Sequence, residues 1–334
     1  MWVPNLPVTI LTAAAAAVGG TCLYKDYHSG PPFDKSKRAD QLVVVVTGAN
    51  AGIGKEATHE FAKRGARVFM ACRDIARCEE SRKEVVLETG NKFVYCRPCD
   101  LASLQSVREF VARFKSEEPH CHVLVNNAGV MEPPPKQRVT KDGFETQLGV
   151  NHLGHFLLTN LMLDTLKASA PSRVVIVSGS AHYRGVINKE DLNLSKNYDG
   201  RAAYSQSQLA NVLFARELAR RTMESGITVS CVDPGLTDSG ISRHTPMMKS
   251  LTRFVIYPLF WPFMKSPRLG AQTYVHAALD DEVGRQSVGD YYVDMKKTEP
   301  SKLAQDYELA MWLWRVSEKW TKLTEHKEML AKAA

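Results

Sequence analysis

The chain has 334 residues, 44% of them hydrophobic, and a net charge of +7, so it can bury a substantial core and its length allows one large domain or two. Lys and Arg are interleaved with Asp and Glu and form no basic stripe, which excludes nucleic acid as an expected partner. The positive charge suits anionic small molecules or an anionic membrane surface, with mixed charge on solvated helix faces as the plainer explanation.

The first 24 residues carry no charge, and Leu6 to Tyr24 is mostly apolar or small. That length can cross a bilayer, which takes about 20 residues, although an Ala- and Gly-rich composition makes the drive to insert modest. No basic stretch precedes it, whereas Lys25, Lys35, Lys37 and Arg38 follow. A retained N-terminal membrane-anchor helix with the body on the cytoplasm-like side is therefore expected, a cleaved signal peptide being the alternative. The expected organisation is an anchor over 1–24, a juxtamembrane linker over 25–39, one domain over 40–320 and a C-terminal tail over 321–334.

The stretch QLVVVVTGANAGIGKEATHEFAKRG passes from a β-branched run through a glycine-rich turn into a helical pattern. It predicts a buried parallel strand feeding a helix. Gly48, Gly52 and Gly54 would let backbone approach a pyrophosphate at the helix N-terminus. The segments RVFMACRD, NKFVYCRPCD and HVLVNNAGV read as further short buried strands separated by helices. Alternation of this kind predicts an α/β fold, a Rossmann-like doubly wound parallel sheet with ligand at the strand C-terminal ends. The second strand ends in Arg73 where an acid would take an adenosine 2′-hydroxyl, so a 2′-phosphate and hence NADP(H) is expected, with Lys55 assisting.

The seven cysteines are scattered and odd in number. They predict a reduced chain, with the lone CxxC at Cys96 and Cys99 a pair of incidental thiols. The proline cluster MEPPPKQ at 131–137 reads as a surface loop between a strand and a helix. In AAYSQSQLANVLFARELARR the apolar residues recur at helical spacing, so Tyr204 and Gln208 share one helix face a turn apart.

The ordered motifs TGANAGIG, Asp100 in CDLAS, NNAG at 126–129, Asn151 in GVNHLGHFLLTN, Tyr204 and DPG at 233–235 resemble the short-chain dehydrogenase/reductase family over about residues 40–320. Longer phrases, such as LFWPFMKSPRLGAQ, resemble its membrane-anchored retinol dehydrogenase group. The resemblance implies hydride transfer between NADP(H) and a lipophilic carbonyl or alcohol, retinoid-like or steroid-like. It implies a cofactor site of Gly48, Asn50, Gly52, Ile53, Gly54, Arg73, Asp100, Asn127, Ala128, Gly129, Tyr204, Gln208, Pro234 and Gly235. No metal is expected. The implied partners are the substrate and a membrane, the endoplasmic reticulum or the mitochondrial inner membrane, with a homodimer left open.

The family mechanism implies Tyr204 as the acid/base and Asn151 as the relay residue. Its lysine position is Gln208, and its serine falls on Gly179 in VVIVSGSAH, with Ser178 and Ser180 as substitutes one residue out of register. A lysine charge about 5 Å from the phenol is worth about 3 kcal/mol at an effective dielectric near 20, or roughly two pKa units. Without it, Tyr204 should titrate near about 10 and stay protonated, so reduction suffers less than oxidation. The contrasting expectation is a nucleotide binder with little turnover. His152 and His155 have no carboxylate or cysteine at matching spacing and read as structural. The apolar run at 254–264 could cover a substrate, rest on a membrane interface or pack in the core. Trp312, Trp314 and Trp320 read as core and lid packing.

Overall fold

β1 (Val43–Thr47) is buried at every position, as expected of a strand covered on both faces. The computed structural model describes residues 12, 15–16, 19–25, 31–132, 138–237, 264–284, 288–326 and 328. After β1 come α1 (Gly52–Lys63), β2 (Arg67–Cys72), α2 (Ile75–Thr89), β3 (Val94–Pro98), α3 (Leu104–Glu117) and β4 (Val123–Asn126). A π-helical turn, Gly149–Leu153, then leads into α4 (Gly154–Ala168). β5 (Ser172–Val177), α5 (Gly200–Arg221), β6 (Ile227–Asp233), α6 (Pro267–Leu279), β7 (Asp290–Val293), β8 (Lys296–Thr298) and α7 (Tyr307–Trp320) complete the order. The strands expected from RVFMACRD, NKFVYCRPCD and HVLVNNAGV are β2, β3 and β4.

The strands form one sheet in the order β3-β2-β1-β4-β5-β6-β7-β8. All neighbours are parallel except β7 and β8. Side chains alternate across a strand, so β1 feeds two cores. Val43 and Val45 join the core covered by α3, α4, α5 and α7, while Val44 and Val46 join the one covered by α1, α2 and α6. The chain runs outward from β1 to β3, then returns to lay β4 on the other side of β1. That reversal opens a crevice at the C-terminal ends of β1 and β4, where ligands bind in open α/β sheets. The result is a single Rossmann-like α/β domain.

The ends of this domain differ from the expected limits. Phe33 is buried in the α1/α6 core, its N–H donating to Gln272 Oε1 at 3.0 Å. The Arg64 guanidinium holds the carbonyls of Asp34 and Lys37 at 2.9 and 3.0 Å. Residues 31–39 are therefore a strap on the body and not a free linker. At the other end Leu323 is buried and Arg108 donates to the Thr321 carbonyl at 2.6 Å, so the body extends past residue 320.

The cysteines also differ from expectation. Cys78 of α2 and Cys96 of β3 form a disulfide, because the helix packs its inner face directly over that strand. Cys99 remains a buried thiol.

Residues 19–25 are helical, and among the described residues no helix is long and apolar enough to cross a membrane. Most of the expected anchor, residues 133–137 of the proline loop and nearly all of the 254–264 run lie outside the described residues. Trp314 is a core residue, edge-on to Phe156 at 4.9 Å, and Trp320 stacks on Phe144 at 5.3 Å.

Candidate active site

The loop between β1 and α1 is shaped by two glycines that meet other backbone. Gly48 has φ +64°, and a Cβ there would lie 2.9 Å from Ala128 Cα. A Cβ on Gly54 would lie 2.4 Å from Asn127 Nδ2 and 2.5 Å from the Gly48 carbonyl oxygen. Asn127 seals the approach, donating from Nδ2 to the Thr47 carbonyl at 2.8 Å while its Oδ1 accepts from the Tyr274 hydroxyl at 3.2 Å. The N-cap of α1, Ala51, offers no side-chain hydrogen bond, and the first turn holds no acidic residue. Its first N–H groups and positive dipole end therefore remain available to an anion. Ile53 is buried beneath this turn. The Asn50 carbonyl accepts from Ser81 Oγ at 2.8 Å, which ties the loop to α2.

Arg73 follows β2, exposed and without a hydrogen bond or ion pair to another described residue. Lys55, expected to assist it, is instead ion-paired with Glu84. Asp100 lies beyond β3 and turns the chain there, accepting from Ala102 N at 3.1 Å. Ala128 and Gly129 continue from β4 along the crevice, with Gly129 exposed. Pro234 and Gly235 close its far side, Gly235 at φ +74°. These features fit a dinucleotide: close-approach glycines and free helix N–H groups for a diphosphate, and an unpaired guanidinium at the adenosine end.

Asn151 sits in the π-helical turn, buried and held on both sides. Its Oδ1 accepts from Val130 N at 2.8 Å, and its Nδ2 donates to the Val130 carbonyl at 3.0 Å and to Ser207 Oγ at 2.9 Å. The Ser207 hydroxyl donates in turn to the Tyr204 carbonyl at 2.8 Å. The relay position is thus coupled to the helix that carries the phenol.

Tyr204 and Gln208 are one turn apart on α5, as their spacing predicts. Burial first, and the Asp233 carboxylate second, push the Tyr204 phenol up to about 12. That exceeds the value of about 10 expected from loss of the lysine charge alone, because the sequence spacing carries no measure of desolvation. Gly179 is extended, at φ −158° and ψ 170°. Among the described residues beyond its chain neighbours, a Cβ at Gly179 would have one heavy atom within 4 Å, Gln208 Oε1 at 3.6 Å. The two departures from the family pattern therefore face each other.

The substitute serines divide. Ser178 is buried and its hydroxyl donates to the Gln208 carbonyl at 2.9 Å, so it ties β5 to α5 and is not turned to the crevice. The expectation that Ser178 replaces the serine at 179 is corrected accordingly. Ser180 is exposed at the start of a 3₁₀ turn, Ser180–Arg184.

Several supporting residues escaped the sequence reading. His182 accepts from Ser301 N at 3.2 Å and pairs its Nδ1 with the Gly179 carbonyl at 2.8 Å, fixing the backbone at 179. Asp233 accepts from Gly235 N at 2.8 Å and from the Tyr291 hydroxyl at 2.9 Å. Only the DPG run marked Asp233 in advance, and nothing marked His182 or Tyr274. His152 and His155 are structural, pushed by burial down to about 3 and about 4. Among the described residues no cluster could hold a metal ion.

A glycine-lined crevice at the sheet's switch point, with a tyrosine on α5, defines a short-chain dehydrogenase. Residues 42–249 match the short chain dehydrogenase family model, and the chain belongs to that oxidoreductase family, whose members bind a nicotinamide cofactor. It is similar to retinol dehydrogenase 13 of Mus musculus, 46% identical over 93% of this chain and 92% of that protein. Retinol dehydrogenase 12 of Homo sapiens is 49% identical over 82% and 84%. These relatives bear out the resemblance to the retinol dehydrogenase group. Among solved structures, an uncharacterized protein from Mycobacterium Paratuberculosis is 34% identical with a TM-score of 0.70, covering 88% of this chain and 98% of that one. An Escherichia coli short chain dehydrogenase complexed with NADPH shares the fold at 21% identity and TM-score 0.62, over 79% and 100%.

Gly54→Ala should weaken NADPH binding at least about tenfold, since the new methyl meets backbone that shapes the phosphate cradle. Fluorescence titration of NADPH checks this, with circular dichroism as the control for folding. Unchanged affinity in a folded variant would remove the cradle from the cofactor site.

Proposed function

We propose that this chain is an NADP(H)-dependent oxidoreductase for a lipophilic carbonyl or alcohol, retinoid-like or steroid-like, biased toward reduction. One observation carries the bias: Tyr204 lies one helical turn from an amide and not an ammonium, in surroundings whose burial pushes its phenol up to about 12. A protonated phenol donates to a carbonyl oxygen; alcohol oxidation needs its conjugate base. When bound, the reduced nicotinamide supplies the hydride to the carbonyl carbon. Tyr204 supplies the proton and is reprotonated from water, so each carbonyl consumes one hydride and one proton. The relatives named retinol dehydrogenases support the lipophilic substrate class.

The second reading is a nucleotide binder with little turnover. It is favoured by Ser178, whose hydroxyl is turned away from the crevice, and by the open space beside Gly179.

For the cofactor, the exposed Arg73 supports NADP(H) over NAD(H), a charge-assisted contact to the 2′-phosphate being worth about 1.5–3 kcal/mol. NADPH should bind at least about tenfold more tightly than NADH, and Arg73→Ala should erase the difference. Equal affinities in the parent protein would sink this assignment.

Residues 1–24 are proposed as the membrane anchor, of the endoplasmic reticulum or the inner mitochondrial membrane, joined to the strap at 31–39. The charge-free run and the lysines after it support this. The full chain should stay in the pellet on carbonate extraction of cell membranes; release into the supernatant would contradict the anchor.

The direction of catalysis is tested by pH. A phenol at about 12 is fully protonated throughout the working range, so kcat/KM for carbonyl reduction should be flat from about pH 6 to pH 10. For alcohol oxidation kcat/KM should rise about tenfold per pH unit over the same range, as the phenolate fraction grows. A reduction profile that breaks near neutrality would show that Tyr204 titrates far below the value its burial sets.

A further inference from the structure

Gln208 is a buried residue whose terminal amide makes no hydrogen bond to any described residue, although both amide atoms keep some accessible surface. The amides of buried residues are ordinarily paired within the protein. Other polar side chains of this helix show the contrast. Gln206 donates to the Leu192 carbonyl at 2.9 Å, and Asn211 to the Val177 carbonyl at 3.0 Å. The Gln208 backbone carbonyl is fixed by Ser178, so the side chain starts from a rigid point. It ends against the open space at Gly179, 3.6 Å from where a side chain there would begin. The 179 backbone is itself held by His182.

We infer that the Gln208 amide occupies the place of the missing serine hydroxyl and donates from Nε2, through the gap at Gly179, to the carbonyl oxygen of the substrate. The two departures then form one exchange: a side chain lost at 179 leaves room for a donor from 208. Rotation about the last side-chain bond turns either Oε1 or Nε2 toward the gap, and the donor is selected by a carbonyl acceptor. Tyr204, one turn away, gives the second hydrogen bond to the same oxygen and transfers its proton as the hydride arrives. This assignment deepens the reductase reading above and gives the residue a substrate contact in place of a cofactor contact.

The test uses binding without turnover. All-trans-retinal labelled with ¹³C at its aldehyde carbon is bound to the full protein with NADP⁺, and the carbonyl stretch is read by infrared difference spectroscopy. Gln208→Met keeps the length of the side chain and removes the donor; Gly179→Ser in that background supplies a hydroxyl to the same gap. The carbonyl band of the parent should lie below that of Gln208→Met, and the double variant should return toward the parent. NADPH affinity should stay within about twofold across the set. In turnover, kcat for reduction should fall about 10²-fold in Gln208→Met and recover at least partly in the double variant.

The inference is overturned by a band identical in parent and Gln208→Met, by a tenfold loss of NADPH affinity in Gln208→Met with the band unmoved, or by a parent that leaves the carbonyl band at its free position under saturating retinal. Tyr204→Phe separates the two readings. If Gln208→Met shifts the band and Tyr204→Phe does not, the phenol role fails while the amide role stands; the reverse pattern removes only the amide role.

Discussion

The hydroxyl of Thr47 holds the three parts of the site together. It accepts from Asn127 N at 2.9 Å and Ala128 N at 3.0 Å, which joins the end of β1 to the segment after β4. It lies 2.8 Å from His155 Nε2, and His155 Nδ1 lies 2.9 Å from the Asn151 carbonyl. A carbonyl only accepts, so the imidazole carries its proton on Nδ1 and accepts a hydrogen bond from the Thr47 hydroxyl at Nε2. Cofactor loop, strand end and relay turn are thus fixed by one neutral histidine. Its pKa is depressed to about 4, chiefly by burial. The stability it contributes is complete above the ordinary imidazole pKa of about 6.5 and is lost as pH falls through about 4, because the unfolded chain takes up the proton first.

This frame leaves cofactor binding and chemistry on separate supports. The glycines, the uncapped start of α1 and Arg73 all belong to the β1–β3 half. The proton chemistry belongs to α5 and the end of β5, where both departures lie. Loss of a charge at 208 therefore leaves the diphosphate cradle untouched. It changes the proton affinity of the phenol, which the buried Asp233 carboxylate raises further. An amide stands where the family pattern supplies a cation, and together with burial that moves the tyrosine from an interchangeable acid/base to a committed acid.

Much of this was legible in the sequence, because it rests on local constraints. The valine run, the glycine spacing and the strand–helix alternation dictated β1 to β4 and the cradle, and helical periodicity placed Tyr204 beside Gln208. The remainder depends on contacts far apart in the chain. No local signal showed that Ser178 turns to the Gln208 carbonyl and away from the crevice, that Phe33 inserts between α1 and α6, or that Cys78 reaches Cys96. Nor did any local signal show that Lys55 pairs with Glu84 of α2. The antiparallel edge strand β8, with all three residues exposed, has no apolar pattern to announce it.

On this reading Tyr204 still delivers a proton here without the family's lysine and serine. Single-turnover NADPH oxidation with all-trans-retinal measures it most directly, with Tyr204→Phe as the blank and the Gly179→Ser, Gln208→Lys double variant as the reference. The parent rate should lie clearly above the blank and below the double variant, with all three binding NADPH alike. A parent rate equal to the blank, in a protein that binds NADPH, would contradict it and leave the nucleotide-binding reading in its place.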